Sequence, residues 1–314
     1  MKVLNRLLFA GLLIFLIGFA ILQFQKKTDK LKIGVIQIVE HEALDKARNG
    51  FIDEMKNLGY KDANFDIQIA GGDISNLNSI SQKFINDKKD LILAISTPAA
   101  QAAANVTKDI PILVTAVTDP ESCGLVDSNK KPGRNITGTS DLVPIDKQVK
   151  LLKTLVPNCK KVGILYSSGE TNSKLQSNMA IQEFKKANID TKEITISNSN
   201  EVQSVVECNT DVDALFLPTD NLIASCIPTI SKISINHKIP IICNDSDIVK
   251  KGALASYSMD YYDLGKMTAK QADKIIKKES QPQNMPIEFI TNTKLVINEE
   301  VSKKLGISIP EGLE

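Results

Sequence analysis

The chain has no tryptophan, 5 tyrosines, 10 phenylalanines and 2 histidines in 314 residues. A Ser-His-Asp arrangement would have to use His41 or His237, and His237 precedes an expected strand, away from the strand ends where α/β sheets place ligands. No Gly-x-x-x-x-Gly-Lys-Ser/Thr phosphate loop, no Gly-x-Gly-x-x-Gly after the first strand, no Gly-x-Ser-x-Gly elbow and no His-Glu-x-x-His occurs. Catalysis is therefore not expected, and no cofactor is implied. The 5 cysteines (123, 159, 208, 226, 243) are odd in number and lack any Cys-x-x-Cys, which excludes a zinc pattern and a disulfide framework. Cys226 and Cys243, in apolar surroundings, are expected as core thiols, with a single bridged pair as the alternative. Charge of one sign is missing too: 38 basic and 37 acidic residues give a net charge of +1. That balance provides no electrostatic reason to expect a nucleic-acid partner.

One long hydrophobic run is present. Residues 7–22 (LLFAGLLIFLIGFAIL) are uninterrupted, preceded by Lys2 and Arg6 and followed by Lys26-Lys27. No small-residue cleavage site follows, and no Cys for lipid attachment. Residues 1–27 are therefore expected to form a hydrophobic signal-anchor helix that tethers the rest to the extracytoplasmic face of the membrane. An atypical cleavage would release the same domain. Basic residues on both flanks leave the orientation weakly determined.

Beyond it the chain repeats itself. Lys32-Ile33-Gly34-Val35-Ile36 returns as Lys161-Val162-Gly163-Ile164-Leu165, and Ile110-Pro111-Ile112-Leu113 as Ile239-Pro240-Ile241-Ile242, both at an offset of 129. Asp90-Leu91-Ile92-Leu93 returns as Asp213-Ala214-Leu215-Phe216 at 123. Continuous apolar runs are strands buried on both faces, and the intervening helical stripes make βαβ units with parallel sheets. In the first copy strands are expected at 32–39, 63–70, 90–95 and 110–116, with helices at 41–58, 75–88 and 98–108. A first crossing at 135–143 leads to a second copy: helices at 145–156, 171–188, 199–207 and 221–236, strands at 160–166, 190–196, 213–217 and 239–243. Strand 253–258 returns toward the first lobe, helix 263–278 packs there, and the tail adds a strand and a short helix before Gly306. The expected class is α/β, two Rossmann-like lobes with parallel sheets: residues 32–138 with 259–285, and 139–258 with 286–314.

The strand ends carry the polar residues. Ser96-Thr97-Pro98 opens a helix, and its hydroxyls either cap that helix or receive a carboxylate at its positive end. The counterpart, Thr219-Asp220-Asn221, is acidic. A donor-rich site facing an acidic one suits a zwitterion, with the ammonium on Asp220 or Asp245; capping is the competing role for both. Ser167-Ser168-Gly169-Glu170 stands opposite Val39-Glu40-His41, and Tyr166, Tyr257, Tyr261 and Tyr262 lie near strand ends or the second crossover.

Several segments together carry a family resemblance. They are Val39-Glu40-His41-x-Ala43-Leu44-Asp45, Thr97-Pro98-Ala99-Ala100-Gln101, Val117-Thr118-Asp119-Pro120, Gly138-x-Ser140-Asp141, Glu170-x-Asn172-Ser173, Pro218-Thr219-Asp220-Asn221 and Gly252-Ala253-Leu254-Ala255, followed by Asp260-Tyr261-Tyr262-Asp263-Leu264-Gly265. In this order, from about residue 32 to Pro310, the chain resembles ABC-transporter substrate-binding proteins that capture tryptophan, tyrosine or phenylalanine. The resemblance implies a type I periplasmic-binding fold with three crossover segments, hinge closure over a small-molecule ligand, and an ABC permease and ATPase as partners. It implies that Ser96, Thr97 and Thr118 address the ligand carboxylate, and Asp220, Asn221 and Asp245 its ammonium. Glu40, Glu170 and Asn172 would surround the side chain or close across the cleft. Asn244-Asp245 departs from the family's usual Gly-Asp, and the lipidated Cys of Gram-positive members is missing. A membrane-anchored sensor reporting to a partner protein is the alternative role.

Overall fold

The repeated segments become the spines of two parallel sheets in the computed structural model, which describes residues 30–290 and 292–313. The expected anchor, residues 1–27, lies outside the described residues. Among those described, no helix is long and apolar enough to cross a membrane.

In chain order the first copy runs β1 (Lys32–Gln37), α1 (Glu42–Asn57), β2 (Asn64–Ile69), α2 (Ile74–Asn86), β3 (Leu91–Ile95), α3 (Thr97–Val106), β4 (Ile112–Val117) and β5 (Ile136–Ser140). The second runs α4 (Ile145–Leu155), β6 (Lys161–Ser167), α5 (Thr171–Lys186), β7 (Asp190–Ile196), α6 (Val202–Glu207), β8 (Ala214–Leu217), α7 (Asn221–Asn236), β9 (Ile241–Cys243), α8 (Ser246–Lys250) and β10 (Ala255–Ser258). The chain ends with α9 (Tyr261–Ile276), β11 (Glu288–Phe289), β12 (Lys294–Ile297) and α10 (Glu299–Leu305).

The sheet orders are β11-β5-β4-β3-β1-β2 and β12-β10-β9-β8-β6-β7. All pairs are parallel except β10–β12. Every residue of β3 and β4 is buried, whereas the edge strand β2 is not, which is why only the inner strands read as unbroken apolar runs. The repeated aspartates do the same job twice. Asp90 accepts from the Lys32 amide at 2.7 Å, and Asp213 from the Lys160 and Lys161 amides at 2.8 and 2.9 Å, so each clips the first strand of its sheet.

Three crossings join the lobes, after β5, after β10 and after β11. The segment expected to make the first crossing, 135–143, begins as β5, which pairs with β4 as far as Ser140; the chain leaves the first sheet only beyond it. β11 likewise belongs to the first sheet, through Glu288 and Phe289. Helix α9 packs on α1 almost backbone to backbone. A Cβ on Gly50 would lie 2.0 Å from the Tyr262 carbonyl oxygen, and one on Gly265 2.0 Å from that of Ala47. This close approach fixes the helix after the second crossing to the first lobe. Two further details differ from expectation: the helix expected at 199–207 opens with a 3-10 turn at Ser199–Glu201, and α8 is an additional short helix.

Candidate functional site

Residues that follow β1, β5, β6, β8, β9 and β10, with Ala116 near the end of β4, meet at one enclosed cavity of about 20 Å³. Its walls come from the first lobe (His41, Leu44, Ala116), the crossovers (Asp141, Tyr261) and the second lobe (Asn172, Thr219, Asp220, Asn221, Ala224, Asp245). Asn221 also lines an adjoining crevice of about 300 Å³. That crevice has an apolar first-lobe wall of Ile38, Val39, Ile74 and Pro98, and a second-lobe wall that includes Ser167, Ser197, Ser199 and Ser225. A wider groove of about 860 Å³, lined by Lys147, Tyr257 and Lys294 among others, lies along α4 and β12 and takes no part in the space between the lobes.

The lobes are closed on each other. His41 Nε2 and Asn221 Oδ1 are 3.3 Å apart, Gln176 Nε2 donates to Thr118 Oγ1 at 3.3 Å, and Gln101 Nε2 donates to Thr171 Oγ1 at 3.3 Å. At the rim, Lys46 Nζ bonds Asp247 Oδ1 at 2.6 Å. A cavity of this size holds about one water, so a larger ligand enters only when the lobes part.

The nine expected site residues divide by what they already hold. Ser96 and Thr97 are buried, their hydroxyls have no partner, and Ser96 makes no side-chain cap to α3, so capping does not account for them. Ser96 also has φ 93°, and Ala116, at the end of the neighbouring strand, φ 53°. Positive φ in non-glycine residues is strain of about 1–3 kcal/mol each, of a kind that collects at ligand sites. Thr118 is buried and accepts from Gln176.

The acids of the second lobe are engaged with helix ends. Asp220 Oδ2 accepts from the Ser167 amide at 2.6 Å and Oδ1 from the Ile223 amide at 2.8 Å, capping α7. Asp245 Oδ1 accepts from the Asp247 amide at 2.8 Å, capping α8. Glu170 Oε1 accepts from the Asn221 and Leu222 amides, both at 3.0 Å, and Oε2 from the side chains of Asn221 and Asn172. Glu170 therefore stabilises the start of α7, although it borders the 300 Å³ crevice. Asn172 also holds the Thr219 carbonyl at 2.9 Å. Asn221 joins Glu170 to His41 across the cleft. Glu40 is exposed and lines neither cavity.

Burial pushes these carboxyls up: Asp245 to about 7, and Glu170 to about 8 with the Asp220 charge adding to the effect. Asp220 is raised as well, chiefly by burial. Burial lowers His41, which favours a neutral ring. Buried acids held above their usual range are relieved by a cation entering among them. Among the described residues no group of three or more His, Cys, Asp or Glu is arranged to hold a metal ion.

Three contributors were not among the expected site residues. Buried Gln176 on α5 joins Thr118 to Thr219, and accepts at 2.7 Å from Asn244, the residue that departs from Gly. Asp141 and Tyr261 meet at the crossovers. The Ser140-Asp141 and Tyr261 segments were visible as motifs, whereas nothing in the sequence sets Gln176 apart from other helical polar residues.

Two α/β lobes closed over an acid-lined cavity define a two-lobed small-molecule-binding protein. Residues 32–314 match the family described as ABC transporter substrate binding protein. The chain is 46% identical over 289 residues to the tyrosine-binding protein of Clostridioides difficile (strain R20291), covering 90% of this chain and 84% of that protein. A solved ABC domain from Streptococcus pneumoniae in complex with L-Trp is 39% identical with a TM-score of 0.88, covering 91% of this chain and 97% of that one. A ligand-free, open substrate-binding protein with adhesive properties from Clostridium difficile is 44% identical but has a TM-score of 0.69, over 90% and 97% of the two chains. This chain belongs to the ABC transporter substrate-binding protein family, with the type I periplasmic-binding fold. Lower similarity at higher identity is what a difference in lobe angle produces, and it agrees with the closed contacts seen here.

Proposed function

We propose that this protein captures an aromatic L-amino acid, of the tyrosine and tryptophan class, between its lobes and delivers it to the permease and ATPase of an ABC importer. The observation that carries the reading is the paired cavity: an acid-lined chamber built from both lobes, joined at Asn221 to a 300 Å³ crevice with an apolar wall. That volume is at the lower end of small-molecule sites, and the apolar wall suits a ring. The unpartnered Ser96 and Thr97 hydroxyls at the start of α3 receive the carboxylate, while the acids of the second lobe favour the ammonium. The named relatives, one tyrosine-binding and one bound to L-Trp, support the same ligand class.

The two lobes, with all of β5 and β11 in the first rather than divided at 138/139 and 285/286, move as bodies about the crossings, and ligand selects the closed arrangement. Work on the extracytoplasmic face, with residues 1–27 as tether, completes the proposal. Isothermal titration of the purified protein against the twenty L-amino acids tests it. Binding of tyrosine, tryptophan or phenylalanine at one site per chain is expected, and no heat from any of the three overturns the ligand class.

A further inference from the structure

Asp141 follows directly on β5, where the chain first leaves the first sheet. The residue is 2% exposed, and its amide donates to the Val117 carbonyl at 3.1 Å. Its Oδ2 accepts from the Tyr261 hydroxyl at 3.0 Å. Tyr261 opens α9 just past the second crossing, so this single hydrogen bond joins two of the three crossovers. Its Oδ1, also buried, has no hydrogen-bond partner, and the residue lines the cavity shared by both lobes.

The contrast with the neighbouring acids carries the inference. Asp220 has both oxygens on backbone amides, Asp245 has one on the α8 cap, and Glu170 accepts from four donors. Among the buried atoms of the described residues left without a partner, Asp141 Oδ1 is the carboxylate oxygen. An unsatisfied buried acceptor is costly, and a ligand that brings a donor removes the cost. We propose that Asp141 is the residue that receives the ligand's α-ammonium, with Asp220 and Asp245 as flanking charges. The inference rests on the amino-acid reading of the cavity given above.

Two consequences separate it from a structural role. Burial pushes the Asp141 carboxyl up to about 6, so a neutral Asn of the same shape should not weaken the ligand-free fold. The crossover position also ties the ligand's amine to the hinge instead of to one lobe, so the contact is available before closure is complete.

The test compares L-tyrosine with 3-(4-hydroxyphenyl)propionate, which keeps the phenol and carboxylate but has no amine, on wild type and Asp141→Asn. The expected result is a loss of about 10- to 100-fold for L-tyrosine, with the amine-free probe unchanged within about twofold and a ligand-free melting temperature no lower than wild type. Equal loss of both probes, or unchanged L-tyrosine affinity, overturns the assignment of Asp141 while leaving the ligand class standing. Should Asp141→Asn not fold, Asp141→Glu, which keeps the charge but displaces it by one methylene, must show the same amine-selective loss; equal losses again overturn it. A wild-type protein that binds none of the twenty L-amino acids overturns the amino-acid reading, and this assignment with it.

Discussion

Replacing Lys46 by methionine should open the closed form without touching the ligand cavity. Lys46 is on α1 of the first lobe, and Asp247 on α8 of the second; their atoms are 2.6 Å apart. The Asp247 side chain is 4% exposed and that of Lys46 33%. The pair therefore falls between an exposed ion pair, worth roughly 0.2–1 kcal/mol, and a fully buried one whose breakage costs roughly 3–5 kcal/mol. Asp247 does not become an orphan when Lys46 is removed, because Lys250 remains at 2.8 Å. Glu42, the other partner of Lys46, keeps Lys250 and Lys251 at 3.9 and 4.0 Å. These retained partners bring the expected loss down to about 1 kcal/mol, or roughly fivefold in the closing equilibrium.

Ligand leaves only through the open form, so the loss should appear in the dissociation rate. Stopped-flow displacement of L-tyrosine at about 0.02 M salt should show dissociation roughly fivefold faster for Lys46→Met, with association little changed. Raising salt to about 0.5 M should speed the wild type and narrow the gap, because the pair is partly exposed. Equal dissociation rates at low salt would refute the clasp, and a change confined to association would show Lys46 acting by steering instead.

Asp141 and Asp245 are raised by burial to about 6 and about 7, so each binds its proton more tightly folded than unfolded. Their contribution to stability is present below the usual carboxylate range and is lost as pH rises through those values, by about 3 kcal/mol for Asp141 if fully expressed. Urea melts of the ligand-free protein should accordingly show higher stability near pH 5 than near pH 8, with saturating L-tyrosine reducing the difference; a ligand-free stability that rises over this interval would refute it. Ser96→Gly relieves the positive φ but removes a hydroxyl from the proposed carboxylate site. It should hold or raise the melting temperature while weakening L-tyrosine by about tenfold, and unweakened binding would take Ser96 out of the site.

The architecture was readable because strand burial writes itself into composition. The Lys-x-Gly and Asp-led repeats fell at the same places in the two sheets, down to the aspartates that clip β1 and β6. Boundaries were less secure where a strand carried polar residues: Thr137, Thr139 and Ser140 disguised β5 as a connection, yet all are buried, and Thr139 and Thr268 share a hydrogen bond at 2.8 Å against α9. The site was legible only as two half-sites. Which residues meet across the cleft depends on the closing angle, and neither the His41–Asn221 pair nor the Gln176 bridge has a local sequence signature. The reach of Glu170 was hidden for a related reason. It precedes α5 in sequence but places its oxygens on the amides that start α7, 51 and 52 residues away.

On the proposed reading, duplication itself explains how one fold would grip both ends of a zwitterion. Helices α3 and α7 occupy the same place in their lobes, each following the strand that lies beside β1 or β6. Both present a positive end of about half an elementary charge. In the second lobe the Asp220 and Glu170 carboxyls, raised by burial, sit on that end, and an incoming cation would favour their ionised form. In the first, Ser96 and Thr97 are neutral and leave it attractive to an anion. Thr97→Asp should therefore make the two ends alike. L-Tyrosine affinity should fall by about tenfold or more as its carboxylate meets a like charge, while tyramine, which has the amine and no carboxylate, holds or gains. Titration of both probes reads the ratio directly, and an unchanged preference for tyrosine over tyramine would place the carboxylate away from α3 and dissolve the opposed-polarity account of the cleft.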